Sequence, residues 1–494
     1  MNLSRRGFLG ASLGALAFSD ALKPPFAGAE AGQPANPVTT ELHYLSIRDG
    51  ASRIRAKRLS PVELTQAVLK RIDQVEPKVH AFITITREEA LDAAKAAEKE
   101  IMAGRYRGPL HGIPFAVKDT HYTKGIKTTA ATPVLADFVP RFDATVVARL
   151  KNAGGILIGK TNLPEFSSGS FGNGTNNPWD LTRGPGGSSG GNAAGLATGM
   201  FAMSSGGDTG ASIRGPAALC GVVGLKPTYG RVSRRGVMLL SWSVDHVGPM
   251  TRTVEDNALM LNVVAGYDPE DDTSSDVPVP DYTRALRRGV RGMRIGIPKA
   301  AYIEGFHADE LRAFEEALKI LQKLGARVTE VEFPASLSVM GNAHNIIRIC
   351  DAASYHEPFL ATKVDLYGKG MTNTNVRRDV EAGALITAGQ YLRAQKIRKV
   401  FLKEMTALFS TFDVMLTPES VPAGEPTNAR LNPHSPFNDT GFPGMAVPAG
   451  FSTSPPGLPL SVQVVGKPFD EETVYAVGFA YESETRFYEK KPAL

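Results

Sequence analysis

Cysteine is scarce in this chain: Cys220 and Cys350 are the two cysteines among its 494 residues. Two cysteines provide neither a disulfide framework nor a four-cysteine metal site, so the fold must depend on a hydrophobic core. A chain of this length can bury a large hydrophobic core. Apolar residues make up 42% and charged residues 21% of the chain, which excludes a disordered, collagen-like or coiled-coil protein.

Long runs of one chemical character are also missing. The net charge is only +5 and no basic run stands out, which argues against nucleic acid as a partner. No apolar stretch reaches the roughly 20 residues needed to cross a bilayer, so we expect no stable membrane insertion. The nine histidines show no metal-ligand spacing, and the sequence therefore predicts no bound metal.

The N-terminal segment is typical of an export signal. A twin-arginine pattern occupies Ser4–Leu9, an apolar stretch of small residues runs on to Phe18, and Ala27–Ala29 offers a cleavage site. These three elements, in this order, predict a twin-arginine signal peptide over residues 1–29 that is cleaved near Ala29. We therefore expect a periplasmic or secreted protein with one folded domain over residues 30–494.

Helix and strand patterns alternate along the rest of the chain. A capping box at Ser60–Glu63 opens a helix that Pro77 is expected to end, and Asp143 is expected to cap a helix running to Ala153. The other predicted helices are Glu88–Ala103 and Ala308–Leu324, and the predicted strands are Ile113–Val117, Gly155–Ile158, Met293–Ile297, Val328–Val331 and Leu460–Val465. The alternation predicts an α/β fold with a covered sheet.

Glycine, serine, alanine and threonine dominate the segment from Gly184 to Gly224. A flexible linker of that composition would not also contain apolar residues such as Leu196, Phe201 and Met203. The segment therefore predicts close backbone packing around a site.

Two motifs in the chain resemble known signatures but lack their context. Gly154–Thr161 has the spacing of a phosphate-binding loop, but its middle residues are Ile-Leu-Ile, which favour a buried strand. Gly187–Gly191 has the G-x-S-x-G spacing of an esterase with Ser189 as nucleophile. No strand can directly precede it, because Pro185 lacks a ladder donor. That esterase alternative would also need a base, and nothing in the context of His356 or His434 marks either one.

A lysine and two serines form a stronger set: Lys118, Ser188 and Ser212. Lys118 follows an apolar run and should lie at a buried strand end, where burial lowers the pKa of an amine and can make it a base. A structural ion pair with its neighbour Asp119 explains the same residue equally well. Ser212 lies among small residues whose backbone N–H groups could form an oxyanion hole.

Together these segments resemble the amidase signature family, over nearly all of the expected mature chain. The matching stretches are Gly112–Asp119, Gly159–Phe166, Pro185–Gly191, Asp208–Arg214, Cys220–Thr228, Gly457–Gln463 and Gly466–Asp470. The resemblance implies one large domain with a central mixed, twisted β-sheet covered by helices on both faces. It places the signature core at about residues 110–250.

The resemblance also implies a mechanism without a cofactor. Ser212 would attack an amide carbonyl, and Ser188, preceded by a cis peptide bond, would pass the proton to neutral Lys118. Backbone N–H groups of Thr209, Gly210 and Ala211 would hold the oxyanion. The supporting residues would be Ser189, Asp208 and Arg214. Ala211 stands where many members have glycine, which could narrow the site.

An amidase that releases ammonia or an amine from a carboxylic amide is therefore the expected function. We expect a small-molecule amide as substrate and no nucleic acid as partner. By analogy with the family, we expect a homodimer. Ser167–Asn177 and residues 340–440 are the expected acyl-pocket regions, with Phe171, Tyr355 and Phe437 as candidate lining residues. The alternative within the family is the amidase subunit of a tRNA-dependent amidotransferase, a cytoplasmic role that the export signal disfavours.

Overall fold

A computed structural model describes residues 41–169, 174–369, 376–419 and 434–494. The predicted signal peptide, residues 1–29, lies outside the described residues, as does Phe171. The described part of the chain from Glu41 onward forms one unit. None of its helices is both long and apolar enough to span a bilayer.

Eleven strands of the described chain form one mixed β-sheet. They are β1 (Phe82–Ile85), β2 (Pro114–Lys118), β3 (Ile156–Thr161), β4 (Met203–Asp208), β5 (Val223–Lys226), β6 (His246–Thr251), β7 (Arg294–Pro298), β8 (Arg327–Val331), β9 (Val414–Pro418), β10 (Gly444–Thr453) and β11 (Pro456–Val465). Their order across the sheet is β1-β3-β2-β4-β6-β5-β10-β11-β9-β7-β8. β2 pairs in parallel with β3 and β4, whereas the strands from β4 to β9 in this order are antiparallel.

Helices cover both faces of the sheet. In the described residues the α-helices are α1 (Ile47–Arg55), α2 (Pro61–Val79), α3 (Arg87–Met102), α4 (Thr145–Asn152), α5 (Gly190–Ala197), α6 (Arg214–Cys220), α7 (Val254–Val264), α8 (Tyr282–Ala285), α9 (Ala300–Ile303), α10 (Ala308–Lys323), α11 (Leu337–Lys363), α12 (Val376–Ala384), α13 (Ala388–Phe409), α14 (Ser435–Thr440) and α15 (Glu471–Thr485). Successive side chains of a strand point to opposite faces. Accordingly, Phe115 and Val117 belong to one hydrophobic cluster and Ala116 to another. The predicted α/β fold with a mixed, covered sheet is confirmed.

Most predicted elements form, but the predicted end of α2 and the predicted cap of α4 are wrong, and β11 begins four residues before the predicted Leu460. The capping box at Ser60 is present, but α2 continues through Pro77 to Val79, since the fixed φ of proline suits a helix and only one backbone donor is lost near its end. Asp143 does not cap α4, whose N-cap is Ala144. The Asp143 carboxylate instead accepts hydrogen bonds from the Lys124 N–H and the Lys151 ammonium.

The glycine-rich segment folds into regular structure. It contains α5, β4 and α6, and all the residues of α5 are buried. Gly191 shows how closely the backbones approach: a Cβ there would lie 2.4 Å from the Ala81 carbonyl oxygen and 2.6 Å from the Asn162 nitrogen. The prediction of close backbone packing is confirmed.

Candidate active site

The candidate site lies at the ends of two neighbouring parallel strands. Val117 of β2 pairs with Ser205 of β4, so the carboxyl ends of both strands meet at the same edge of the sheet. Lys118 is the last residue of β2, and Asp208, the last residue of β4, leads directly into the loop that carries Ser212. The topology thereby brings together segments that are far apart in sequence.

Lys118 and Ser188 are in direct contact. The Lys118 Nζ donates a hydrogen bond to the Ser188 hydroxyl at 2.6 Å, and both side chains are buried. The Gly187–Ser188 peptide bond is cis. Asp119 is paired with another lysine, because its carboxylate lies 2.9 Å from the Lys160 ammonium. The geometry therefore contradicts the structural alternative for Lys118, an ion pair with its neighbour.

Burial changes the acid–base chemistry of Lys118. Loss of solvent lowers the pKa of this amine to about 7, although the negative charges of Asp245 and Asp208 act in the opposite direction. A lysine with that pKa is neutral for a substantial fraction of molecules near pH 7 and can accept a proton.

Ser189, which follows Ser188 in the chain, is joined to Ser212 through the backbone. The Ser189 N–H donates to the Ser212 carbonyl oxygen at 3.0 Å, and the Ser189 hydroxyl donates to the Gly207 carbonyl oxygen at 3.3 Å. Ser188 and Ser189 are fully buried, whereas Ser212 is half-buried. The serine expected to be the nucleophile is thus the most accessible of the three.

A buried ion pair closes the loop that carries Ser212. The Asp208 carboxylate accepts hydrogen bonds from Nε and Nη2 of Arg214, both at 3.1 Å, and from the Ile213 N–H at 3.0 Å. Burial alone would raise the pKa of Asp208, but the positive charges of Arg214 and Lys226, together with hydrogen bonds from Arg214 and Asn438, hold this pKa well below its usual range. Both ends of the loop are therefore fixed to each other, which pre-organises the backbone between them.

The three residues expected to form the oxyanion hole lie within this loop. The Thr209 hydroxyl donates to the Asp245 carboxylate at 2.6 Å, and Asp245 also accepts the Leu240 N–H at 2.7 Å. The Ala211 methyl group lies 3.6 Å from the position of a Cβ at Gly215, on the side of α6. Gly210 is half-buried.

Sequence reasoning missed several residues that support this loop: Asp245, Asn438 and Gln463. Asn438 donates to the Asp208 carboxylate at 2.9 Å and accepts from Arg214 at 2.5 Å. Gln463 accepts from Arg214 at 2.6 Å. Gln463 lies in a stretch that matches the family, and this match could have indicated a role at the site. No neighbouring residues of Asp245 or Asn438 indicate such a role.

The two other motifs have structural roles. Gly154–Thr161 contributes β3, whose six residues are all buried, as its apolar middle predicted. The Ser189 hydroxyl contacts Gly207. The His356 ring is hydrogen-bonded to the Tyr367 hydroxyl at 2.7 Å. The His434 ring lies 2.6 Å from the Glu419 carboxylate. These contacts do not form the serine–histidine pair that the esterase alternative needs. In the described residues no group of histidine, cysteine and acidic side chains could hold a metal ion.

A cavity of about 870 Å³ lies beside the loop that leads to Asp245. Leu240, Trp242, Asp351 and Tyr355 are among its lining residues. That Tyr355 lines the acyl pocket stays a prediction. The expectation for Phe437 is wrong: its side chain is fully buried and packs on Phe409 in a hydrophobic cluster, because core burial satisfies an aromatic ring equally well.

Comparison with known proteins identifies the family. The family model described as Amidase matches residues 63–475. The A subunit of glutamyl-tRNA(Gln) amidotransferase from Carboxydothermus hydrogenoformans is 41% identical over 492 residues, which cover 92% of this chain and all of that relative. Among solved structures, the peptide amidase PAM bound to chymostatin has a TM-score of 0.83 at 30% identity and covers 91% of this chain and 99% of its own. The A subunit of glutamyl-tRNA(Gln) amidotransferase from Thermotoga maritima has a TM-score of 0.74 at 33% identity and covers 90% of this chain and 96% of its own.

The fold and the comparisons together define a hydrolase of C–N bonds. The chain belongs to the amidase signature family.

The relatives correct the expected partners. A small-molecule amide, with no nucleic acid involved, was expected. That expectation is wrong, because relatives 40–42% identical over 92% of the chain are subunits of an enzyme named for its action on glutamyl-tRNA(Gln).

Proposed function

We propose that the chain cleaves carboxamide C–N bonds through an acyl-enzyme formed on Ser212. The Ser212 oxygen attacks the carbonyl carbon, and its proton passes through Ser188 to the neutral amine of Lys118. Backbone N–H groups of Thr209, Gly210 and Ala211 receive the negative charge that develops on the carbonyl oxygen. The proton then returns to the departing nitrogen, and water releases the carboxylic acid. The observation that carries this proposal is the buried 2.6 Å contact between Lys118 and Ser188.

Labelling with a fluorophosphonate tests the mechanism. The probe forms a phosphonyl-serine with loss of fluoride, and peptide mapping identifies the modified residue. We expect label on Ser212, lost in Lys118→Ala and retained in Lys124→Ala, an exposed lysine after the same strand. Label on Ser189 would instead support the esterase alternative and refute the assignment of Ser212.

For the substrate, the relatives favour the amidase subunit of a tRNA-dependent amidotransferase. In that role the acyl-enzyme chemistry would release ammonia from glutamine for transfer to a mischarged glutamyl-tRNA. The support is 41% identity over 92% of this chain and 100% of the relative, because such coverage leaves no large part of either chain unmatched.

Copurification tests this assignment. The chain, tagged at its C terminus and expressed in its own cells, is expected to copurify with other subunits. The purified assembly should convert glutamyl-tRNA(Gln) to glutaminyl-tRNA(Gln) with glutamine as nitrogen donor, and the Ser212→Ala assembly should do so only with added ammonia. A tagged chain that purifies alone and leaves the tRNA unchanged would contradict the subunit role.

The twin-arginine pattern supports a second candidate, an amidase exported to the periplasm. Arg5 and Arg6 predict export, and a protein outside the cytoplasm cannot serve tRNA charging. Cell fractionation of the full chain distinguishes the two candidates. Export that is abolished by Arg5→Lys with Arg6→Lys would support the second candidate, whereas a cytoplasmic wild-type chain with an intact N terminus would refute it.

A further inference from the structure

An ordered histidine lies next to the loop that follows β4. His344, in the second turn of α11, is only 7% exposed, and its Nδ1 lies 2.8 Å from the carboxylate of Asp439 in α14. Asp439 is 1% exposed. A buried carboxylate at this distance fixes both the orientation of the ring and its tautomer, with the proton on Nδ1.

The other ring nitrogen of His344 faces Gly210. A Cβ placed on Gly210 would lie 3.4 Å from the His344 Nε2, so this nitrogen lies against the middle residue of the proposed oxyanion loop. Among the described residues, Nε2 has no hydrogen-bond partner, whereas Nδ1 has Asp439. The ring therefore presents an unused nitrogen to the loop that is proposed to bind the substrate carbonyl.

We infer that His344 is a substrate-binding residue that recognises the N–H of the scissile carboxamide. The inference rests on the proposed function of Ser212. When Nδ1–H donates to Asp439, the Nε2 of an imidazole in this tautomer carries a lone pair and is an acceptor. A carboxamide offers one oxygen acceptor and N–H donors. The loop N–H groups at Gly210 take the oxygen, and His344 takes an N–H of the leaving nitrogen.

This arrangement makes His344 a determinant of selectivity for amides over esters. An ester of the same acyl group places its carbonyl oxygen in the same oxyanion hole but has no N–H to donate. Loss of the Nε2 acceptor should therefore slow amide cleavage and leave ester cleavage unchanged. A residue that only packed α11 against α14 would affect both reactions equally.

Two matched substitutions of His344 separate these roles. Asparagine places an amide nitrogen near the position of Nδ1, so His344→Asn can keep the bond to Asp439 but lacks the distal acceptor. Glutamine extends further, so His344→Gln can place its oxygen near the position of Nε2. Both variants are measured as full-length purified protein with L-glutamine and its γ-methyl ester, together with thermal unfolding and the rate of fluorophosphonate labelling.

We expect His344→Asn to lower kcat/KM for glutamine by roughly three- to tenfold, the effect of one neutral hydrogen bond. The kcat/KM for the ester and the labelling rate should be unchanged. His344→Gln should recover part of the amide activity. An equal change for amide and ester, or none for either, would refute the role of His344 while leaving Ser212 intact. Failure of wild-type Ser212 to label or to cleave either substrate would refute the proposed function itself.

Carboxamide binding provides a readout that does not depend on turnover. Ser212→Ala is expected to bind glutamine by calorimetry without cleaving it. The double variant Ser212→Ala/His344→Asn should bind glutamine roughly three- to tenfold more weakly than Ser212→Ala. Unchanged binding would count against the inference.

Discussion

The side-chain nitrogen of Lys118 lies 2.6 Å from the hydroxyl oxygen of Ser188, and neither side chain is exposed. Enclosure of both partners explains how a lysine can act as a base. Because solvent is excluded, the pKa of Lys118 falls to about 7, and the bond to Ser188 directs the neutral amine at the proton that it must accept.

The reactivity of Ser212 should depend on the protonation of Lys118. Only unprotonated Lys118 accepts a proton, so the rate of Ser212 labelling should be low in acid, rise with pH and reach half its maximum near pH 7, at about the pKa of Lys118. Stopped labelling reactions across the pH range measure this, and circular dichroism at each pH checks that the fold is intact. A rate that does not change around neutral pH would contradict a base role for Lys118.

Removal of the base should be costly for catalysis. General-base catalysis contributes roughly 10²- to 10⁴-fold, so Lys118→Ala should lower kcat by about that factor. Steady-state ammonia release measures the effect, with Lys124→Ala as the exposed control expected to keep full activity. Equal losses in the two variants would show that the effect does not come from the site.

The buried pair Asp208–Arg214 should be important for stability. Both side chains are fully enclosed, and loss of one partner of such a pair costs about 3–5 kcal/mol because the other charge is left uncompensated. We expect Asp208→Asn to lower the free energy of unfolding by an amount in this range in urea titrations. Arg377→Ala, which removes a solvent-exposed partner of Glu381, is the control and should leave the unfolding midpoint unchanged. A similar midpoint for both variants would contradict the importance assigned to the pair.

Two glycine substitutions should have opposite effects. A Cβ on Gly191 would lie 2.4 Å from the Ala81 carbonyl oxygen, whereas a Cβ on Gly341, within α11, would meet nothing within 4 Å. Overpacking costs typically about 1–3 kcal/mol, so Gly191→Ala should lower the unfolding temperature. Gly341→Ala should raise it slightly, since alanine is favoured over glycine in a helix by about 1 kcal/mol. Differential scanning calorimetry measures both, and a stable Gly191→Ala protein would contradict the close packing.

Local sequence was sufficient to predict many individual elements. The capping box at Ser60 begins α2, and the apolar middle of Gly154–Thr161 becomes the buried strand β3. These features depend on neighbouring residues only, since capping bonds and strand preference act over a few positions. The failures at Pro77 and Asp143 also concern local signals, and there a proline near a helix end and a competing ion pair changed the outcome.

The sequence by itself identified Lys118, Ser188 and Ser212 as candidate catalytic residues, through their residue types and a family resemblance. Only the tertiary structure decided between a structural ion pair and a buried contact for Lys118, because it pairs Asp119 with Lys160 and Lys118 with Ser188. The same holds for the supporting residues: Gln463 lies 249 positions from Arg214, and Asp439 lies 95 positions from His344. No local pattern encodes such pairs, since the pairing of distant strands and helices creates them.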